Sequence, residues 1–444
     1  MIYEKINSMK FGPVSPAVQV ESLDQEGRGI AHLDGKVIFI EGALTGETVE
    51  YVSFQRKPSY ELAEVKRIIH ASAARVEPRC SHFGVCGGCS MQHLEPRAQV
   101  AAKQRVLEDN LARIGKVKPE IMLSPIHGPT WEYRYRARFS VRHVAKKGTL
   151  VGFRERRSSF VADMQTCEVV PKRISALLLP LRELIASLSI RGRLPQIELA
   201  IGDAVDVMVL RVLEPPDEFD LDKLRQFAAR HRVQLMLQPK GPDTVYPLLP
   251  EQLTPLRYRV PDFDLCFPFD ATDFTQVNHD INKILVRRAI ALLDPQPGER
   301  IADFFCGMGN FSLAIARRGG QVLGVEGNAR LVQRAHGNAI LNGLQDQCRF
   351  IDQDLFKITA QGWKDLAPFD RILIDPPRDG AMELVKVLGA MPPARIVYVS
   401  CNPATLARDA SVLVNVHGYR LMAAGVINMF PHTSHVESIA LFDR

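Results

Sequence analysis

Residues 301–326 read IADFFCGMGNFSLAIARRGGQVLGVE, and this stretch decides the fold of the last part of the chain. It contains a short apolar run, a turn with Gly307 and Gly309, a helical pattern and a second apolar run. Strand, glycine turn, helix and strand in this order predict a doubly wound, Rossmann-like α/β sheet. Helix and strand patterns alternate from residue 279 onward, so we expect residues 271–444 to form one domain of this class.

The glycine turn predicts a binding site for a nucleotide-containing cofactor. Glycines allow a ligand to approach the backbone, and Glu326 at the end of the next strand can accept hydrogen bonds from ribose hydroxyls. Ser312 stands where a dinucleotide-binding motif has its third glycine. Asp303 disfavours a pyrophosphate and suits the ammonium group of an amino acid. The pattern therefore favours S-adenosylmethionine over NAD, with a turn that binds no ligand as the alternative.

Three later segments supply candidates for a reaction centre. RILIDPPRDG at 371–380 and RIVYVS at 395–400 are strands, the second followed directly by Cys401, and FPHTSHVE at 430–437 ends at Glu437. Parallel strands expose their carboxyl ends at the ligand-binding side of such a sheet. Arg378 stands where methyltransferases acting on the adenine amino group need an aromatic residue.

A thiol and a carboxylate meet the needs of pyrimidine C5 methylation. Carbon C5 of uracil is too weak a nucleophile to take a methyl group unaided. Addition of a thiolate to C6 activates C5, and a base must then remove the C5 proton. We therefore interpret Cys401 as the nucleophile and Glu437 as the base. The alternatives are a buried structural cysteine and a surface acid.

Four of the eight cysteines suggest a metal site. Cys80, Cys86 and Cys89 are spaced C-x5-C-x2-C in a glycine-rich loop, and Cys167 is the best fourth member. In a cytoplasmic protein such a set favours metal binding over disulfides. Four thiolates fit tetrahedral zinc or a [4Fe–4S] cluster, and the spacing does not decide between them. The remaining three, apart from Cys401, are interpreted as structural: Cys266, Cys306 and Cys348.

The first 270 residues predict two further domains. Residues 12–70 alternate apolar and polar positions in short runs, which is typical of a small, OB-like β-barrel. Residues 71–270 predict a mixed α+β domain that includes a helix at 96–114. The chain lacks an apolar run of about 18 residues and a secretory signal, so we expect a cytoplasmic protein.

The positive charge is concentrated after the barrel. Residues 71–160 hold 17 Lys and Arg against 7 Asp and Glu, an excess of ten, whereas residues 1–70 hold 8 against 10. Within this block, WEYRYRARFSVRHV at 131–144 interleaves aromatic residues with arginines, which can stack bases and bind phosphates. We therefore expect a nucleic-acid partner. A solvated basic face is the alternative.

Together these motifs resemble the RNA (uracil-5-)-methyltransferase family over nearly the whole chain. FCGMGNFS, DPPR, SCNPAT and HTSHVE all match motifs of that family. The resemblance implies S-adenosylmethionine as methyl donor, Cys401 as nucleophile and Glu437 as base. It also implies six cofactor contacts: Gln276, Phe305, Asn310, Glu326, Asp354 and Asp375.

The N-terminal barrel is similar to a TRAM domain, an RNA-binding module. The four cysteines match the [4Fe–4S] ligands of the ribosomal RNA branch of the family. The resemblance to that branch implies methylation of a specific uridine in 23S rRNA. We expect the protein to be a monomer, and we expect neither DNA nor a membrane as a partner. A tRNA uracil-5-methyltransferase and a non-catalytic iron–sulfur RNA-binding protein are the alternatives. A cytosine-5 enzyme is disfavoured, because Ser400 rather than a proline precedes Cys401.

Overall fold

The N-terminal strands form a sheet that folds back on itself. The computed structural model describes residues 13–444, so Gly12, the first residue of the predicted barrel, lies outside the described residues. The sheet order is β1-β5-β6-β4-β3-β2, and β1 also contacts β3, so the sheet is nearly closed. Its strands are β1 Val18–Gln19, β2 Ser22–Leu23, β3 Gly29–Leu33, β4 Lys36–Glu41, β5 Thr48–Arg56 and β6 Tyr60–His70.

A helix and a short strand follow the cysteine-rich loop. The predicted helix at 96–114 is α1 Pro96–Asn110, and it continues as a π-helical turn over Leu111–Gly115. The left-handed conformation of Lys116, with φ of 54°, ends it. Glu95 caps its first turn by accepting a hydrogen bond from the Ala98 amide. Strand β7 Ile121–Met122 comes next.

The middle of the chain contains a second sheet, of order β13-β12-β11-β10-β8-β9, and a two-stranded sheet of β14 and β15. Its helices and strands are β8 Arg136–Val144, β9 Gly148–Gly152, α2 Lys172–Ser175, α3 Leu178–Ser187, β10 Gln196–Ile201, β11 Asp206–Arg211, α4 Glu218–His231, β12 Gln234–Gln238, β13 Tyr246–Pro247, β14 Arg257–Val260 and β15 Leu265–Pro268.

The C-terminal sheet has the predicted doubly wound architecture. Its order is β18-β17-β16-β19-β20-β22-β21-β7, with β22 antiparallel to both neighbours. The elements are α5 His279–Leu293, β16 Arg300–Phe304, α6 Ser312–Ala316, β17 Gln321–Glu326, α7 Ala329–Leu341, β18 Cys348–Asp352, α8 Ala360–Leu366, β19 Arg371–Ile374, α9 Met382–Val387, β20 Arg395–Ser400, α10 Pro403–Asn415, β21 Arg420–Ile427 and β22 Glu437–Asp443.

Both faces of this sheet are buried. Ile301 and Leu373 pack into the apolar cluster on one face, with residues of α5, α6 and α7. Phe304 and Ile372 pack into the cluster on the other face, with residues of α9 and α10. Successive strand side chains point to opposite faces, so these strands are apolar throughout rather than alternating.

Part of the predicted central domain packs with this sheet. Helix α1 contacts α10 and β21, and β7 pairs in parallel with β21. The pairing extends beyond the short strand, because Leu123 and Ile126 also donate backbone hydrogen bonds to β21. The domain boundaries at residues 70 and 270 stay predictions.

The helices agree with the lack of a long apolar run in the sequence. Across residues 13–444, they are too short or too polar to cross a bilayer.

Candidate active site

The ends of five strands meet on one side of the C-terminal sheet: β16, β17, β19, β20 and β22. Phe304 lies opposite Val325 and Ile374, and Ile374 lies opposite Tyr398. The sequence analysis singled out the residues that follow these strands. They therefore lie together at one rim of the sheet. Strand β22 runs in the reverse direction, so its first residue, Glu437, lies at that same rim.

The strand register places the candidate nucleophile beside the candidate base. Ser400, the last residue of β20, lies opposite Ser438 of β22. Cys401 follows Ser400 and Glu437 precedes Ser438, so the two side chains occupy adjoining positions beyond the last pair. Glu437 is 6% exposed, whereas Cys401 is half-buried and open to a ligand.

Burial sets the protonation of this group of side chains. Burial, together with the charge of Asp375, raises the pKa of Glu437 to about 8, and the charges of Arg378 and Lys103 oppose the rise. Burial also raises the pKa of Asp375 to about 7. Burial, then the charges of Glu437 and Asp375, raises the pKa of the Cys401 thiol to about 11. A carboxylate with a pKa near neutrality is suited to accept a proton.

Hydrogen bonds join the turns that carry these groups. Asn402 Nδ2 donates to the Arg378 carbonyl at 3.1 Å, and its Oδ1 caps α10 by accepting from the Ala404 amide at 3.1 Å. The Arg378 guanidinium lies 3.1 Å from His435 Nδ1. Arg378 therefore contacts both the turn after β20 and the segment before β22.

The glycine loop adopts the conformation that its sequence predicts. Gly307 and Gly309 have φ of 55° and 91°, values that glycine adopts without strain, and Phe305 has φ of 63°. Glu326 Oε2 accepts a hydrogen bond from the Gly307 amide at 3.0 Å, and its Oε1 accepts one from Asn328. Burial raises the pKa of Glu326. The acid is thus fixed at the mouth of the loop.

A buried oxygen lies directly below this loop. Asp303 is fully buried, and its Oδ2 accepts a hydrogen bond from Ser312 Oγ at 2.5 Å. Among residues 13–444, its Oδ1 finds no hydrogen-bond partner. Burial raises the pKa of Asp303 to about 7. An unpaired carboxylate oxygen, a loop of two glycines and a fixed acid fit a ligand that carries an ammonium group and a ribose.

The other predicted cofactor residues differ in how firmly they are held. Asn310 Oδ1 accepts hydrogen bonds from Tyr258 Oη at 3.0 Å and Asn282 Nδ2 at 3.1 Å. Gln276 is half-buried in the segment before α5. Asp354 is exposed and makes local contacts, because it accepts from the Phe356 amide and pairs with Lys357. The Lys357 ammonium lowers the pKa of Asp354.

The four predicted cysteine ligands surround one cavity. Cys80, Cys86, Cys89 and Cys167 all line it, together with apolar side chains that include Phe83, Phe153 and Met164. All four are free thiols. Burial is the main cause that raises the pKa of each of them, to about 12 for Cys86 and for Cys89. Within residues 13–444, no three or more His, Cys, Asp or Glu side chains are arranged to hold a single metal ion.

The four thiols fit a metal group in their chemistry. Thiolates are the ligands of tetrahedral zinc, at about 2.3 Å, and of [4Fe–4S] clusters. The apolar lining limits access of water to such a group.

The basic aromatic stretch is largely engaged within the protein. Tyr133 and Phe139 are buried, and Trp131 and Tyr135 are half-buried. Arg136 donates to the Ala271 carbonyl, and Arg138 pairs with Glu198 at 2.8 Å. Glu198 lies directly opposite Arg138 in the β8–β10 register, which the sequence does not reveal. The expected contact of these arginines with RNA stays a prediction.

Sequence reasoning missed two groups that support the site. Tyr258 and Asn282, which hold Asn310, come from segments that carry no recognisable motif. Lys103 of α1 is buried and donates to Asn428 and Phe430, in the segment that leads to Glu437. Its only signal is a charged residue on the buried face of α1, between Gln99 and Leu107.

Comparison with protein-family profiles identifies the fold and chemistry of this site. The profile of the tRNA (uracil-5-)-methyltransferase family matches residues 95–444. The chain belongs to this family. The TRAM domain profile matches residues 17–50, within the N-terminal sheet. The family membership and the TRAM module predicted from the sequence are therefore confirmed, and the chain is a methyltransferase.

Individual relatives agree over the full length. The chain is 61% identical to the 23S rRNA (uracil(1939)-C(5))-methyltransferase RlmD of Nitrosospira multiformis, over 96% of this chain and 98% of the relative. The enzyme of the same name from Aromatoleum aromaticum is 59% identical, over 97% and 100%.

A solved structure shares the fold. The tRNA (uracil-54, C5)-methyltransferase of Pyrococcus abyssi, in complex with S-adenosyl-L-homocysteine, superposes with a TM-score of 0.73. The superposition covers 96% of this chain and 99% of that one at 24% identity, so the two chains share a fold.

Proposed function

We propose that this protein transfers a methyl group from S-adenosylmethionine to C5 of a specific uridine in 23S rRNA. The position of Cys401 beside the buried Glu437, at the rim that also carries the glycine loop, is the observation that carries the proposal. The names of the relatives at about 60% identity support 23S rRNA as the RNA and position 1939 as the uridine.

The two side chains divide the reaction between them. Cys401 adds as thiolate to C6 of the uracil, forming a sulfur–carbon bond and leaving C5 electron-rich. C5 then takes the methyl group, which S-adenosylmethionine supplies as an electrophile. Glu437 accepts the C5 proton, and the electrons of that C–H bond restore the C5–C6 double bond as the thiolate leaves. The products are 5-methyluridine and the neutral thioether of the cofactor.

The residues around the loop would hold the cofactor. Glu326 is placed to accept hydrogen bonds from the ribose, and Asn310 is fixed by Tyr258 and Asn282 beside the loop. We assign Gln276, Phe305, Asp354 and Asp375 to the same pocket. Asp354 requires rearrangement, because its carboxylate now caps a local turn.

We also propose that Cys80, Cys86, Cys89 and Cys167 bind a [4Fe–4S] cluster. The cavity that these thiols share supports the assignment. The reaction transfers no electron, so the cluster has a structural or RNA-positioning role.

Metal analysis of anaerobically purified protein tests the cluster. We expect a brown protein with about four iron and four sulfide per chain. The Cys86→Ser and Cys89→Ser variants should lose iron, whereas Cys348→Ser, which changes a buried thiol elsewhere, should retain it. A colourless protein with one zinc per chain would assign the site to zinc.

Methylation assays decide the substrate. Purified protein should form 5-methyluridine on a 23S rRNA fragment that contains the site, and a fragment with cytidine at that position should remain unmethylated. Unmethylated tRNA is the matched competitor. Preferential methylation of tRNA would assign the protein to the tRNA activity instead. The monomeric state and the absence of a DNA substrate stay predictions that the same preparations test by light scattering and by assay on DNA.

Trapping of a covalent intermediate tests the division of roles. Glu437→Gln cannot accept a proton, so this variant should methylate once and remain bound to RNA through Cys401. Loss of a general base typically slows its step by about 10²- to 10⁴-fold. Denaturing electrophoresis should show an adduct that requires S-adenosylmethionine and is absent from the double variant Glu437→Gln, Cys401→Ala. Normal turnover by Glu437→Gln would move the proton transfer to another group, with Asp375 as the next candidate.

A further inference from the structure

A lysine side chain is buried behind the candidate base. Lys103 lies on the inner face of α1 and is 2% exposed. Its Nζ donates to Asn428 Oδ1 and to the Phe430 carbonyl, each at 2.8 Å. Both acceptors are neutral, so these hydrogen bonds do not neutralise the ammonium charge. Burial of a charge without a direct ionic partner is costly and calls for a compensating interaction.

The acceptors belong to the segment that carries Glu437. Residues 428–436 connect β21 to β22, and Glu437 follows them directly. Residues near the cysteine loop hold the same segment: the Ser90 and Met91 amides donate to the His432 carbonyl at 2.9 and 3.0 Å, and Gln99 accepts from the His432 amide. Lys103 is the cationic member of this set of contacts.

Charge links Lys103 to the base as well. Burial raises the pKa of Glu437 to about 8, a rise that the Lys103 ammonium opposes, and burial lowers the pKa of Lys103 to about 7, a fall that the carboxylate opposes. Each group therefore favours the charged form of the other. Both groups are buried, where the effective dielectric constant is lower than in water. Their mutual attraction is therefore stronger than it would be in water.

We propose that Lys103 is a positioning residue for the proton-transfer step, because its hydrogen bonds hold residues 428–430 beside Glu437. The proposal rests on the assignment of Glu437 as the base. Lys103 contacts neither the uracil nor the cofactor in this assignment, and it acts through Glu437.

Other charged groups act on Glu437 from the surrounding elements. Asp375, after β19, opposes ionisation of Glu437, and Arg378 in the same turn favours it. A negative charge on Glu437 disfavours the thiolate form of Cys401, which follows β20. Burial lowers the pKa of His432 and of His435 in the connecting segment, and the charge of Lys103 adds to both shifts. Arg378 stays in place when Lys103 is changed, so Glu437 keeps one cationic neighbour.

The test follows resolution of the covalent adduct as a function of pH. Full-length enzyme in excess over a 23S rRNA fragment is mixed with S-adenosylmethionine, and the adduct and 5-methyluridine are quantified over time. Lys103→Met removes the charge and the hydrogen bonds, whereas Lys103→Gln removes the charge and keeps a donor. Arg105→Gln removes a charge from the exposed face of the same helix and is the matched control.

The adduct of the wild-type enzyme should resolve faster as pH rises, because only ionised Glu437 accepts a proton. In Lys103→Met, resolution of the adduct should slow relative to its formation, because residues 428–430 lose the hydrogen bonds that hold them beside Glu437, and Lys103→Gln, which keeps a donor, should recover part of the rate. Adduct should therefore accumulate at neutral pH, while binding of S-adenosylhomocysteine remains unchanged. Arg105→Gln should follow the wild-type profile.

A merely structural role would slow formation and resolution of the adduct alike. That outcome, in Lys103→Gln, would overturn the proposal even if Lys103→Met does not fold. If Glu437→Gln traps the adduct and the Lys103 variants resolve it with a wild-type profile, this inference alone fails. If Glu437→Gln traps no adduct, the assignment of the base itself fails.

Discussion

At the scale of single residues, the chemistry of Cys401 depends on its acidic neighbours. Burial and the charges of Glu437 and Asp375 raise its pKa to about 11, whereas an unperturbed cysteine has a pKa of about 8.5. The thiol of the free enzyme is therefore protonated at neutral pH. Because a nearby positive charge favours a thiolate, the cationic sulfonium of the methyl donor is suited to activate it.

Alkylation of Cys401 should report this pKa directly. The thiolate is the reactive form, so the rate of iodoacetamide labelling should rise with pH to a midpoint well above about 8.5. Glu437→Gln removes one negative charge and should lower the midpoint. Site-specific mass spectrometry measures the rate at Cys401, and Cys348, which is buried, serves as internal reference. A wild-type midpoint at the value of an unperturbed cysteine would contradict the electrostatics described above.

The candidate nucleophile and base could be located from the sequence, but the residues that support them could not. Cys401 and Glu437 are predictable because each follows or begins an apolar run within a distinctive motif. Lys103 is not, since a charged residue within a helix is usually exposed. Its burial depends on the packing of α1 against β21, which joins residues more than 300 positions apart.

At the scale of single elements, the glycine loop rests on a closely packed pair of strands. A Cβ atom at Gly324 of β17 would lie 2.7 Å from Phe350 Cε1 and 3.0 Å from Cys306 Sγ. The side chains that flank the cofactor loop thus leave no space for a methyl group at this position. In contrast, a Cβ atom at Gly337, in α7, would meet nothing within 4 Å.

These two glycines make a matched pair of substitutions. Gly324→Ala should lower the free energy of unfolding by about 1–3 kcal/mol through overpacking. Gly337→Ala should raise it by roughly 0.4–1 kcal/mol, because alanine is the better helix former and restricts the unfolded chain. Urea unfolding monitored by circular dichroism measures both. A neutral Gly324→Ala would show that Phe350 can move aside without cost.

Element types were easier to predict than element partners. The helix at 96–114 and the strands around the glycine loop occur as expected, because local periodicity determines them. The pairing of β7 with β21 could not be foreseen, since a two-residue strand has no periodicity to detect. The antiparallel insertion of β22 between β20 and β21 likewise depends on long-range pairing.

At the scale of the whole molecule, the exposed positive charges are the candidates for contacts with RNA phosphates. The exposed residues Arg142, Lys146 and Lys147 lie in and around the β8–β9 turn, whereas Arg138 of the same hairpin already pairs with Glu198. Charges that lack an internal partner are the ones that can replace counterions on phosphates.

Salt titrations of RNA binding should separate these two groups. Affinity for the 23S rRNA fragment should fall with rising salt. The combined change of Arg142, Lys146 and Lys147 to Gln should flatten the logarithmic slope by about 0.7–0.9 for each phosphate that the variant no longer neutralises. Arg138→Gln should change the slope less. Lys364→Gln, on the exposed side of α8, controls for net charge. An unchanged slope in the triple variant would place the RNA on another surface.

The pairing of residues 120–126 with β21 has a consequence for how this protein can be divided. A fragment that begins at residue 271 would leave β21, with its run of apolar residues from Leu421 to Ile427, as an exposed edge strand. Unpaired backbone groups along such an edge recruit other copies of the same strand. The fragment that begins at residue 271 should therefore aggregate when produced alone, and a fragment that begins before α1 should remain dispersed.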